Sequence, residues 1–288
     1  MADFRHFAAI DWSGAVGERH LGIAVAICGE GREAPCLVRP SHRWSRMEVL
    51  DWLTSELPGD TLVGLDLGIS LPFADKDESF PGWSDSPADA RELWALIDDV
   101  CSDDPHLAAT SFVDHIEASR YFRRHGGREG DLFGGGRGRF RVTEDAQRNV
   151  GCNPYSNFNL VGAAQVGKSS LTGMRMLNRL PDGLPVWPID PLPSSGSCVI
   201  EIYTSLAAIE AGRRVGKTKL RTVPELNQGL AMLGSAPIKG RGFIADHKSD
   251  ALITAAWLRN AASKRKLWRP TSMTEQIAQT EGWTFGAL

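Results

Sequence analysis

The chain has 288 residues, 42% of them hydrophobic and 23% charged, with a net charge of −3. That length allows one large globular domain or a domain with a sizeable insertion. The small net charge excludes a global pull toward nucleic acid or membrane, so any polyanion-binding surface has to be local. Cysteines at 28, 36, 101, 152 and 198 are scattered and form no CxxC pair, which argues for a reducing compartment and against a zinc site. Met1 to Phe7 carries Asp3, Arg5 and His6 where a secretory leader needs an apolar core, and no stretch approaches 18 uninterrupted apolar residues. The expectation is a cytoplasmic protein without a membrane partner.

Residues 7–11 (FAAID) read as a short buried strand ended by the turn Trp12-Ser13-Gly14-Ala15. Apolar runs at 20–28 and 36–39 follow after gaps too short for a parallel crossover, so the three form an antiparallel meander. Ser45-Arg46-Met47-Glu48 has the look of a helix start, with Val49, Leu50, Trp52, Leu53 and Leu57 as the apolar face. Pro58-Gly59 closes that helix, and 61–67 (TLVGLDL) is a strongly apolar strand, parallel to and beside the first. This order opens a ribonuclease H-like α/β fold.

Residues 74–104 then hold ten acidic residues, and 120–148 hold eight arginines against four acids around GGGRGRFR at 134–141. The segment 74–196 reads as a long central insertion, partly helical and partly mobile, ending in the Pro-rich stretch 185–195. It divides the core into a first part, 1–73, and a second part with the C-terminal tail, 197–288. Order resumes with a buried strand at 198–203, a helix over about 205–211, a basic turn (Arg213, Arg214, Lys217, Lys219, Arg221), a helix over about 224–233 and an amphipathic helix over about 244–262.

The chemistry lies in the acids. Asp11 ends the first strand and Asp66 lies near the end of the fourth, where open α/β sheets collect ligands. Asp246 and Asp250 are four apart and share one helix face. Crowded carboxylates repel, and an all-oxygen donor set is suited to magnesium or manganese. Two such ions about 3.5–4 Å apart would activate water and stabilise a leaving oxygen in phosphodiester cleavage. Each acid also has a plainer reading: Asp11 as a turn or capping residue, the helix pair as solvated surface. Glu201, on one strand face with Val199 and Tyr203, could be a ligand or a base, or could pair with an arginine.

The stretches AIDWSGA (9–15), GLDLGISLP (64–72), VIEIYTSLA (199–207), DHKSDALITAAW (246–257), NLVGAAQVGKSSLTGM (159–174) and EGWTFG (281–286) resemble the family called domain of unknown function 429, predicted ribonuclease H-like nucleases. The resemblance implies Asp11, Asp66, Glu201, Asp246 and Asp250 as site residues; this chain departs from it at Thr204, where many relatives have proline nearby, and at Lys168, where they have small residues. In the mechanism read from these acids, Asp11, Asp66 and Asp250 are metal ligands, Asp246 and Glu201 supplementary ligands or bases, and Lys168 or His247 a helper.

Gly162 to Ser169 also satisfies GxxxxGK[ST], whose backbone amides and lysine cradle phosphates when a buried strand precedes them, but the preceding NPYSNFNLV is polar and broken by proline. Asp11-Trp12-Ser13-Gly14 resembles the first phosphate loop of actin-like ATPases, which usually duplicate the core present here once. Ser13, Lys168, Arg137, Arg139 and Arg141 are candidate nucleic-acid or phosphate contacts, with Tyr121, Phe122, Phe133 and Phe140 placed to stack on bases. A smaller basic patch comprises Lys264, Arg265, Lys266 and Arg269 with Trp268. The reading is a metal-dependent nuclease or phosphodiesterase, with a noncatalytic nucleic-acid or protein-binding module on the same fold as the alternative and an ATPase-like protein third.

Overall fold

The computed structural model describes residues 3–162 and 166–288. Its sheet is built from β1 (His6–Asp11), β2 (Ala24–Gly29), β3 (Cys36–Leu37), β4 (Thr61–Asp66), β5 (Val186–Trp187) and β6 (Cys198–Glu201), in the order β3-β2-β1-β4-β6-β5. β1, β2 and β3 are an antiparallel meander, whereas β4 runs parallel to β1, and β6 runs parallel to β4 and β5. This is the ribonuclease H-like arrangement, flanked by helices and interrupted by a long insertion between β4 and β6. The second strand begins later than its apolar run, at Ala24; His20 and Ile23 are buried before the ladder starts.

Strand alternation divides the interior in two. Ala8, Ile10, Val63, Leu65 and Val199 face one core, against α1 (Arg46–Asp51), α2 (Ala90–Val100) and α5 (Val166–Leu177), with the short helices α3 (Thr110–Val113) and α4 (Val142–Asn149) between α2 and α5 in the chain. Phe7, Ala9, Leu62, Cys198 and Ile200 face the other, against α6 (Thr204–Glu210), α7 (Val223–Met232) and α8 (Asp246–Ala261). α1 starts at a reciprocal cap: the Ser45 hydroxyl accepts from the Glu48 amide at 3.1 Å, and the Glu48 carboxylate accepts from the Ser45 amide at 2.8 Å. α8 was expected to be amphipathic, but Ser249 to Arg259 are all buried, because the sheet lies under the helix and α6 and α7 pack against it.

The insertion supplies much of the first core. Phe80, Trp94, Phe112, Phe122 and Phe158 are fully buried there, and the Trp94 indole N–H donates to the Ile69 carbonyl at 2.7 Å. The Pro-rich stretch contributes β5, an edge strand, which is where proline is tolerated beside a ladder. Among the described residues no helix is long and apolar enough to cross a membrane.

Candidate functional site

β1 and β4 are parallel with Asp11 directly opposite Asp66, both at the carboxyl ends of their strands. Their alternation from Ala9 and Gly64 places both carboxylates on the face covered by α8. Asp250, buried on α8, and Asp246, in its first turn, face the same region. The acids perturb one another. Burial, then repulsion from Asp66 and Asp250, pushes Asp11 well above the usual carboxylate range. Burial and Asp250 push Asp66 up to about 7, opposed by Lys219 and by hydrogen bonds from the Thr204 amide and hydroxyl. Asp250 is also raised, mainly by burial.

Lys219 is the residue that sequence reasoning left without a role. Its ammonium, on a half-exposed side chain, donates to the Asp250 carboxylate. The loop joining α6 to α7 delivers it through a tight reversal in which the Lys217 amide donates to the Arg214 carbonyl at 2.9 Å. Gly216, at φ +77°, supplies the left-handed position that this turn needs. The basic run 213–221 was the available signal, but nothing local says which of its cations turns inward.

Glu201 does not join this group. It pairs in register with Leu65, not Asp66, so it lies on the opposite face of the sheet. There its carboxylate accepts from the Arg141 guanidinium at 2.6 and 2.8 Å, from the Ile69 amide at 2.8 Å and from the Thr284 hydroxyl. These donors leave it little capacity to bind a metal. The arginine pairing is therefore the reading that holds.

Arg141 is 1% exposed and also bound to Glu144, so it is not a surface phosphate contact. Burial outweighs its Arg141 partner and pushes Glu144 up to about 7. Arg139 is likewise turned inward, clasping Asp75 and the carbonyls of Pro72, Glu78 and Ser79. Arg137 remains exposed; it donates to Asn153 Oδ1 and the Pro154 carbonyl, both at 2.7 Å, and lies over the Tyr155 ring. Of the four aromatics expected to stack on bases, Tyr121, Phe122 and Phe133 are buried and Phe140 is half-buried, and Trp268 of the smaller basic patch is buried too, since large aromatic surfaces are worth more in a core than in water.

The loop after β1 is tightly held. Buried Arg46 donates to the carbonyls of Ser13 at 3.0 Å, Ala15 at 2.5 Å and His106 at 2.9 Å. The Trp12 indole donates to the Thr172 hydroxyl at 3.0 Å, and Gly14 packs directly on the backbone of Lys168 and Ser169. Ser13 therefore lies beside the first turn of α5. Ala163, Ala164 and Gln165 of the phosphate-loop pattern lie outside the described residues, and 153–161 forms no strand leading into Gly162. A cavity of about 440 Å³ opens here, lined by Ser13, Gly14, Asp66, Ser169, Glu201 and Tyr203 among others.

Among the described residues, no three His, Cys, Asp or Glu side chains stand close enough together to hold a metal ion. The donor set suits a hard cation, but as arranged Asp250 is engaged with Lys219. No protein family, no curated protein and no solved structure matches the chain.

Proposed function

We propose that the chain is a divalent-metal-dependent phosphodiesterase acting on nucleic acid, with magnesium or manganese as its cofactor. The observation that carries this reading is the Asp11–Asp66 register: two carboxylates side by side at the ends of parallel strands, each raised by burial and by acidic neighbours. Isolated carboxylates at such a place are costly, and a divalent cation relieves that cost. Asp11 and Asp66 would hold the ion from the sheet, and Asp250 would hold it from α8 on exchanging Lys219 for the metal. Lys219 would then stand beside the site and offset phosphate charge. When bound, the ion supplies an activated water and a Lewis acid. Asp246, 3.7 Å from Arg221, and His247, whose pKa is lowered mainly by burial, begin α8 at the edge of this group.

The test compares wild type with Asp11→Asn, which keeps shape and removes one charge, on single-stranded, duplex and branched nucleic acids with manganese. Wild type should bind manganese and cleave, and the variant should do neither. The Lys219–Asp250 ion pair favours a second reading, in which the acids are already neutralised internally and the fold serves as a noncatalytic binding module. A wild type that binds no metal and cleaves nothing supports that module.

A further inference from the structure

We infer that the basic surface formed by residues 213–221 and 239–243 holds a single strand of nucleic acid, with backbone phosphates on its cations and one unpaired base on Phe243. That this strand is the one cleaved rests on the phosphodiesterase reading; the binding itself does not.

The two segments carry seven lysines and arginines and no acid, in a chain whose net charge is −3. Three of the seven are engaged: Arg213, Lys219 and Arg221 have carboxylate partners in Glu225, Asp250 and Asp246. Arg214, Lys217, Lys239 and Arg241 are exposed and have no carboxylate partner among the described residues. Like charges gathered on one face repel. A polyanion lying over them removes that repulsion and gains by releasing its own counterions.

The backbone makes the two segments one surface. Thr222 bridges Phe243 in antiparallel fashion, with the Val223 amide donating to the Gly242 carbonyl and the Ile244 amide to the Arg221 carbonyl, both at 2.9 Å. Ile244 packs against the second core, so alternation turns Phe243 outward, where it is 76% exposed. A lone exposed apolar residue is ordinary. A ring set beside unpaired cations, however, has the composition of a single-strand platform, on which any base stacks once it is unpaired. A duplex keeps its bases stacked on one another and leaves the ring unused.

The surface also adjoins the acids. Lys219 reaches Asp250 from the first segment, and Phe243 stands three residues before Asp246 at the start of α8. A strand held there is brought to carboxylates whose own charge would otherwise repel it. An anionic membrane is the poorer match, because the cations lie on segments outside the helices and share one ring, whereas a membrane-surface helix needs a broad apolar face.

The experiment is fluorescence anisotropy of a labelled oligodeoxythymidylate with the full chain in EDTA, which removes any dependence on metal, at about 50 to 200 mM salt. The strand should bind, with log affinity falling against log salt at a slope of about −3 for four phosphate contacts. Lys239→Ala with Arg241→Ala should bring that slope to about −1.5. Phe243→Ala, at an exposed position, should weaken the single strand about fivefold or more and leave binding of the duplex with oligodeoxyadenylate unchanged; thermal melting checks that both variants remain folded. Absence of strand binding, an unchanged affinity in either variant, or attachment to phosphatidylserine vesicles in place of the oligonucleotide overturns the inference. Manganese-dependent cleavage that both variants leave untouched, with no strand binding in EDTA, defeats this inference alone. Strand binding lost in the variants, with no metal binding or cleavage by wild type, defeats the phosphodiesterase reading alone.

Discussion

The Lys219 ammonium is paired with the Asp250 carboxylate beside the in-register carboxylates of Asp11 and Asp66. A tethered monovalent cation thus stands where the acids would otherwise draw a divalent one. Lys219→Met removes the competitor while keeping the aliphatic stem. Manganese affinity should rise about tenfold, in line with loss of one nearby opposing charge, and the metal-free protein should lose stability. Calorimetric manganese titration and thermal melting in EDTA check the two effects; weaker manganese binding in the variant would show that Lys219 supports the site instead.

The acids also set a pH dependence. Asp66 is raised from 3.8 to about 7 in the folded protein, and Glu144 from 4.5 to about 7. Between about pH 4 and 7 the folded chain therefore holds protons that the unfolded chain has released, so stability is greatest at the low end of this window and falls as pH rises through it. Melting temperature in EDTA should be higher at pH 5.5 than at pH 8. Asp66→Asn should flatten the slope in part, with Glu144 accounting for what remains. Manganese affinity should run the other way, rising with pH as competing protons leave.

Glu201→Gln separates a structural acid from a ligand. The substitution leaves Arg141 facing one carboxylate fewer in a fully buried network, and breaking such a pair costs about 3–5 kcal/mol. Urea unfolding should show that loss while manganese binding in the folded protein stays unchanged. A variant that keeps its stability and loses manganese would return Glu201 to the ligand set.

Gly14→Ala probes the loop after β1. A Cβ at this position would fall 2.4 Å from the Lys168 carbonyl carbon and the Ser169 amide nitrogen, both backbone atoms that cannot rotate away. Forcing the loop and α5 apart should cost about 1–3 kcal/mol, measured by urea unfolding.

The meander, the first helix with its Ser45–Glu48 cap, the fourth strand and the position of α8 were legible in the sequence, because apolar runs, short gaps and caps are local signals, whereas the short helix Glu275–Thr280 near the end was not. So was the pairing of Asp11 with Asp66, since both close apolar strands that this strand order makes neighbours. What each remaining charge does was decided by the tertiary structure. Glu201 and Asp66 look alike as acids near strand ends, yet the register of β6 against Leu65 turns Glu201 to the opposite face, onto Arg141, which lies 60 residues away. The same holds for the arginine-rich segment, whose Tyr121, Phe122 and Phe133 are core and whose Arg139 and Arg141 are internal ties. Lys219 and Asp250 are 31 residues apart and meet only because the turn at Gly216 and the packing of α8 on β1 bring them together. Local pattern sets where a strand or helix forms, but the partner of a buried charge is chosen by desolvation among whatever the fold brings within reach.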